Sequence, residues 1–399
     1  MTDRDARREA AENLDLRRRL REVEEAILAR APEHDIDPTL ERVREVLDLL
    51  GSPQTTAPII HIAGTNGKTT TARMIETLAM EAGLSTGRFT SPHLHDITER
   101  IVLSGRPIDA RRFVATYDDV LPYVEMIDAS SQAAGGPRLS FFEVLVVMAF
   151  AAFADAPVDV MIVEVGLGGT WDATNAADGT VCVITPIAHD HQAYLGDDLA
   201  TIAENKAGIL KPDSLAVVAA QEPEAAEVVD ERVRELGLTA AYEGREIEVV
   251  SRELAVGGQL VTFQGIAREY PDVLIPLHGE HQARNALLAL AATRGDRRRP
   301  RRGPRTRRRI RRPPAGGVGR RRGAFVLGGR RRRAAGHPRR GRPVPGMGLN
   351  RPTGAGGAGG CARRWPVTPP AARRAGPAGW SRAGAGTRPR RASCAAATR

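Results

Sequence analysis

Residues 37–296 predict an α/β fold: a mostly parallel sheet with helices on both faces. Three observations carry this. Short, continuous apolar runs rich in Val and Ile recur along the chain, helical stretches separate or follow them, and a glycine-bearing turn joins one run to a helix. A strand buried on both faces has no polar alternation, and that is how Pro58 to Ala63, Val158 to Val165 and Val181 to Ile187 read. The first run leads through a turn into a helix from about Thr69 to Ala82, ending before Gly83. Further helices are expected at about Phe141 to Ala154, Leu199 to Ile209 and Pro223 to Leu236, and Ala283 to Thr293 has a helical pattern. No internal repeat is evident.

Two segments flank this body. Residues 2–32 are rich in Arg, Glu, Ala and Leu, with almost nothing to break a helix before Pro32. They predict a solvated helical extension over 1–36, and the mixed charges argue against a nucleic-acid arm. Residues 297–399 differ from everything before them. They hold 31 Arg, 20 Gly, 17 Ala and 13 Pro, with no Lys and no acidic residue. Residues 1–296 hold 27 basic and 48 acidic residues, a net of −21, so the whole-chain charge of +10 describes neither part.

The tail's 8 Ile, Val, Leu and Phe residues are too few to offset chain entropy, and it is expected to be disordered and of low complexity. Two readings compete. A genuine arginine-rich arm would bind nucleic acid with a steep salt dependence, though Phe325, Trp365 and Trp380 are its only stacking aromatics. Alternatively, GC-rich coding DNA is read out of frame, because Arg, Gly, Pro and Ala have GC-rich codon families and Lys does not. The abrupt change just after a helical pattern favours the second.

Composition excludes other classes. The longest apolar run, Val144 to Ala154, has 11 residues, short of the about 20 that a spanning helix needs. The charged N-terminus is not a secretory signal. Cys182, Cys361 and Cys394 have no metal-site spacing and form no even-numbered framework. A cytoplasmic protein is expected, with no membrane role.

Gly64-Thr65-Asn66-Gly67-Lys68-Thr69-Thr70 lies between the first strand and its helix. Glycines let backbone N–H groups approach phosphate oxygens, and a helix N-terminus adds positive potential. Lys68 can then reach the β- and γ-phosphates, and the Thr69 hydroxyl can ligate Mg²⁺. The common pattern has Gly where Ile62 stands. The loop indicates a nucleoside triphosphate and names no reaction. Glu164 ends an apolar strand and enters a Gly-rich turn, placing a hard oxygen ligand at a strand's C-terminal edge.

With Thr-Asn inside it, the loop resembles that of the Mur ligase family of ATP-dependent ligases, and further motifs narrow the likeness to folylpolyglutamate synthase/dihydrofolate synthase. They run in order from Leu49-Leu50-Gly51-Ser52-Pro53-Gln54 through Thr90-Ser91-Pro92-His93-Leu94, Glu99-Arg100-Ile101 and Phe142-Glu143. Glu164-Val165-Gly166-Leu167-Gly168-Gly169 and Asp172-Ala173-Thr174-Asn175 follow, then Asp190-His191, Tyr194-Leu195-Gly196 and Lys206-Ala207-Gly208-Ile209, and finally His281-Gln282 with Asn285-Ala286. The likeness covers about 37–293.

The resemblance implies a Mur-ligase-type central domain that binds ATP and two Mg²⁺ ions. Thr69, Ser91, Glu164 and His191 would hold the metals, and Lys206 would be carbamylated and help organise them. Gln282 and Asn285 match positions near the adenine, while Asp172 and Ala173 match the pterin contact. Lys68, Lys206 and His191 would serve catalysis. The implied reaction joins L-glutamate to dihydropteroate or a reduced folate through an acyl phosphate, in a monomer. Two positions depart from the family pattern: Thr170 stands where many relatives have Arg, and Asn205 where many have Glu.

The family also has a C-terminal domain that binds glutamate, marked by an Asp-Gly/Ala-Ala-His-Asn-Pro turn and an upstream Pro-Gly-Arg. Ala335-Gly336-His337-Pro338 does not match it, and the arginine-rich tail stands where that domain is expected. The chain as written is expected to bind ATP without completing ligation, and to expose apolar surface. Another Mur-type amide ligase, lacking the Ser-Pro-His-Leu and Asp-Ala-Thr-Asn segments, and a non-catalytic ATP- or RNA-binding protein are the alternatives. Resequencing the gene across codons 280–305 tests the frame reading. A single-base correction should open a frame encoding the His-Asn-Pro turn; its absence from all three frames would establish the tail as genuine.

Overall fold

The computed structural model describes residues 3–32, 38–190 and 192–295. The expectations for the tail, 297–399, lie outside the described residues, as does His191.

The chain opens with α1 (Asp3–Leu28) and α2 (Glu41–Leu49). Then β1 (Ile59–Ala63) runs through the phosphate loop into α3 (Lys68–Glu81), β2 (Thr86–Phe89), β3 (Ile101–Leu103) and β4 (Arg106–Pro107). Two long helices follow, α4 (Ala110–Ala133) and α5 (Phe141–Asp155), ahead of β5 (Val160–Glu164) and β6 (Val181–Ile184). The short α6 (Gln192–Leu195) precedes α7 (Leu199–Ala207), β7 (Leu215–Val218), α8 (Pro223–Glu235) and β8 (Thr239–Tyr242). A meander, β9 (Glu248–Ala255), β10 (Gly258–Gln264) and β11 (Glu269–Ile275), leads to α9 (Glu280–Gly295).

Strand order in the main sheet is β4-β3-β2-β5-β1-β6-β7-β8. From β2 to β8 every pairing is parallel; β3 and β4 add an antiparallel edge. The sheet expected from the apolar runs is therefore present, and both its faces are covered. Ile59, Phe89, Met161 and Val163 point toward α1, α2, α4 and α5. Ile60, Ile62, Ile162 and Val183 point to the opposite face, against α3, α9 and the β9–β11 meander. A third cluster, with Ala63, Ile184 and Val218, packs under α7 and α8.

α5 is apolar all round because it is buried all round. Its start is set by a capping box: the Ser140 hydroxyl accepts the Glu143 amide, and Glu143 accepts the Ser140 amide at 2.6 Å. The remaining Glu143 oxygen takes Arg42 from α2 at 3.0 Å.

The N-terminal segment departs from expectation. Its second half is docked rather than solvated: Val23 and Ile27 are fully buried, and Leu16 and Leu20 pack against the same cluster. Just beyond α1, the Arg30 guanidinium donates to Asp128 at 2.9 Å and to the Leu139 carbonyl, both away from water. The expected division at residue 36 thus does not separate two bodies. Positions 16, 20, 23 and 27 form one helical stripe, hidden in the sequence by the surrounding charge. The β9–β11 meander also lay outside the sequence expectation. Its outer faces carry Glu, Arg and Asp, which read as loop when no partner strand is known. Among the described residues no helix is long and apolar enough to cross a membrane.

Candidate functional site

The C-terminal ends of β1, β5 and β6 lie side by side, with Ile62 level with Glu164 and Ala63 level with Ile184. Gly64 and Gly67 both have left-handed φ, +136° and +87°. A side chain at Gly64 would collide with the Thr185 hydroxyl and carbonyl, and one at Gly67 with the Asn285 carboxamide, so only glycine fits. The Thr65 and Asn66 amides donate to the Pro186 carbonyl at 3.0 and 3.2 Å. The Thr65 hydroxyl exchanges hydrogen bonds with Ala188. These contacts clamp the loop to the segment after β6 and commit the two amides to protein. α3 begins at Lys68 without a side-chain cap, so its first-turn N–H groups are donors to an anion. The Lys68 ammonium rests on the carbonyls of Gly64 and Thr65, at 3.1 and 3.3 Å.

Glu164 is 1% exposed. Its Oε1 accepts the Thr69 hydroxyl at 2.8 Å, and its Oε2 is buried with no hydrogen-bond partner. Burial pushes this carboxyl up to about 7, against the pull of Thr69, Lys68, the Ser91 amide and Arg88. Thr69, Glu164 and Ser91, proposed from sequence as metal ligands, are thus brought to one place. A hydroxyl-and-carboxylate set with one bare, buried oxygen suits a hard cation such as Mg²⁺. The fourth proposed ligand, His191, lies outside the described residues. Lys206 is 3% exposed and donates to the Gly64 carbonyl at 3.1 Å. Two ammonium groups therefore share one carbonyl. Burial, and then the charge of Lys68, lower Lys206 to about 8.

The Asp172 turn is arranged differently from the sequence expectation. One Asp172 oxygen accepts the Gly166 and Leu167 amides at 3.0 and 2.9 Å; the other accepts the Thr174 amide at 2.9 Å and its hydroxyl. A carboxylate has about four acceptor positions, and four donors fill them. Asp172 holds the Gly-rich turn closed, and Ala173 beside it is 5% exposed. The Thr174 hydroxyl, donating to Asp172, accepts from His61 Nε2 at 2.9 Å. His61 Nδ1 is buried without a partner, and burial, with the charge of Lys211, drives the imidazole down to about 3.

Gln282 and Asn285 are three residues apart on α9 and hydrogen-bond each other at 3.4 Å, but face different neighbours. Asn285, 5% exposed, abuts Gly67 of the loop. Gln282, with Thr70 and Met74 of α3 and Tyr270 and Ile275 of the meander, lines an apolar groove of about 800 Å³. Thr170 and Asn205, the two departures, touch: the Asn205 carbonyl accepts the Thr170 amide and hydroxyl.

Comparison with known proteins bears on this arrangement. Residues 129–293 match the Mur ligase middle domain. A dihydrofolate synthase/folylpolyglutamate synthase of Mycobacterium tuberculosis is 51% identical over 282 residues, 68% of this chain and 58% of that protein. The solved Mycobacterium tuberculosis folylpolyglutamate synthase complexed with ADP is 49% identical, with a TM-score of 0.67 over 70% of this chain and 62% of that one. This chain belongs to the folylpolyglutamate synthase/dihydrofolate synthase family. The Escherichia coli dihydrofolate synthase/folylpolyglutamate synthase is 34% identical over 65% of this chain and 57% of its own length. The chain therefore spans a little over half the length of these curated relatives.

His61 and the Arg88–Glu76 pair lie outside the motifs read from the sequence. A histidine inside Ile59-Ile60-His61-Ile62 was the available signal, since a buried strand admits one only with a partner. Its depressed pKa has a consequence for acid stability. Below pH 6.5 the unfolded chain protonates His61, whereas the folded chain does not until about 3. The stability is present above 6.5 and is lost as pH falls toward 3, by up to about 1.4 kcal/mol per pH unit. Urea unfolding from pH 7 to 4 should show a shallower acid limb for His61→Gln; parallel limbs would refute the assignment.

Proposed function

We propose that the body of this chain binds MgATP and activates a substrate carboxylate, in a ligase that joins L-glutamate to dihydropteroate or to the glutamate end of a reduced folate. The observation that carries this reading is the Thr69–Glu164 hydrogen bond at the mouth of the phosphate loop, with the second Glu164 oxygen buried and bare. The names of the relatives support the substrate class, as does a folylpolyglutamate synthase structure with AMPPCP and folate, 31% identical at a TM-score of 0.64.

A substrate carboxylate oxygen attacks the γ-phosphorus and ADP leaves, giving an acyl phosphate. The amine of glutamate then attacks the acyl carbon, phosphate leaves, and a proton departs from the new amide nitrogen. Phosphoryl transfer of this kind demands positioning and charge compensation rather than covalent help from the protein. The α3 N–H groups and Lys68 meet the phosphates. Thr69, Ser91 and Glu164 would hold Mg²⁺, which neutralises phosphate charge when bound. His191 and a carbamylated Lys206 would serve a second ion. The adenine is assigned to the approach flanked by Gln282, with Asn285 supporting the loop from behind. Because the Asp172 acceptors are filled, pterin recognition at this turn would fall to the backbone around Ala173.

Calorimetric titration tests the central reading. The chain should bind ATP more tightly in Mg²⁺ than in EDTA, and Lys68→Ala should weaken MgATP binding by at least about tenfold, the loss of one charge-assisted contact. Equal affinity in both buffers would remove the proposal. Lys206 carries a second test. With its pKa near 8, roughly a tenth of it is neutral amine at pH 7, the form that combines with CO₂. In ¹³C-bicarbonate the protein should show a carbamate resonance that strengthens from pH 7 to 8.5 and is missing in Lys206→Arg; no such resonance in the wild type would exclude the modification.

A further inference from the structure

One buried ion pair stands behind this arrangement, and so far it has entered only through the charge of Arg88 on Glu164. Arg88, on β2, is 7% exposed, and Glu76, on α3, is 5% exposed. The Arg88 Nε donates to Glu76 Oε2 at 2.7 Å, and its Nη1 donates to the Thr90 hydroxyl at 2.9 Å. The other Glu76 oxygen accepts the Thr86 hydroxyl at 3.2 Å and the Gly105 amide at 3.3 Å. A buried pair of this kind is weak support for stability, since well-packed apolar residues often serve as well. Its hydrogen bonds have direction, however, and direction fixes geometry.

Both ends of the pair lead to the metal-ligand candidates. Glu76 follows Thr69 by seven residues, which puts the two on one face of α3, about 10 Å apart along its axis. Thr69 pins the helix to β5 at its tip, and Glu76 pins it to β2 further in. A helix held at two heights on one face can neither roll nor slide, so the Thr69 hydroxyl keeps its aim. On the strand side, Phe89 is level with Val163, which brings Thr90 to the height of Glu164 and leaves Ser91 as the next residue. The Arg88 fork thus reaches the segment that carries Ser91.

We propose that Arg88 is a positioning residue for the metal site, holding the Ser91 segment through Thr90 and the phosphate-loop helix through Glu76. This deepens the MgATP reading above and rests on it. The hydrogen bonds of Arg88 go to Glu76 and Thr90, so it sets where the oxygens stand. Lysine cannot substitute, because one ammonium lacks the planar fork that serves two acceptors in fixed directions.

The test separates geometry from mere stability. ATP affinity is measured by calorimetry in Mg²⁺ and in EDTA for the wild type, Thr90→Val, Arg88→Gln and Arg88→Lys, with thermal melts alongside. Thr90→Val leaves the Arg88–Glu76 pair intact. It should melt close to the wild type, keep its EDTA affinity, and lose about tenfold of the tightening that Mg²⁺ gives, as substitutions behind metal ligands do. Arg88→Gln should lose at least as much, and Arg88→Lys should not restore it. If Arg88→Gln does not fold, Thr90→Val decides alone. Wild-type tightening in Thr90→Val, or an equal loss in both buffers, would overturn the inference. A wild type with no Mg²⁺-dependent tightening would overturn the MgATP reading itself, which is a different result.

Discussion

The hydrogen bond from the Thr69 hydroxyl to Glu164 is the contact on which the rest of the site depends. It joins the first turn of α3 to the last residue of β5, and it exists only because β1 and β5 pair in parallel with Ile62 beside Glu164. A one-residue slip would turn the carboxylate to the opposite face of the sheet. The apolar cores on both faces hold that register. The carboxylate at its end is kept dry, and its ordinary pKa is lost as the cost of burial. A dry, half-satisfied carboxylate presents an unscreened field to a cation that reaches it.

Around this contact the chain concentrates positive charge on one carbonyl. Lys68 comes from the loop itself and Lys206 from α7, and both reach Gly64. Burial, and then the like charge of Lys68, disfavour the charged form of Lys206, which is what its lowered pKa expresses. The glycines at 64 and 67 make the approach possible. Thr185 and Asn285 stand where a side chain would be, so the loop is packed from outside.

The turn after β5 shows how the partners of a carboxylate are set by the fold. Asp172 is at the position expected from the motif, but its oxygens are consumed by the Gly166, Leu167 and Thr174 donors. A carboxylate's free acceptors are set by which amides converge on it, and those amides lie up to six residues away along a path only the folded chain defines. His61 is the other side of the same fact, since its partner Thr174 is 113 residues distant.

From the sequence alone, local physics determined the alternation of buried strands and helices and the phosphate loop, and the ordered motifs carried the resemblance to the family. These rest on short-range periodicity, on turn chemistry and on ordered motifs, all of which survive without coordinates. The ends of α3, β5 and α7 that carry Thr69, Glu164 and Lys206 were legible for that reason. Tertiary structure alone decided the docking of α1, the β9–β11 meander, the occupied acceptors of Asp172 and the Arg88–Glu76 tether. Each depends on which distant group meets a polar atom once water is excluded, and burial turns such meetings from options into requirements.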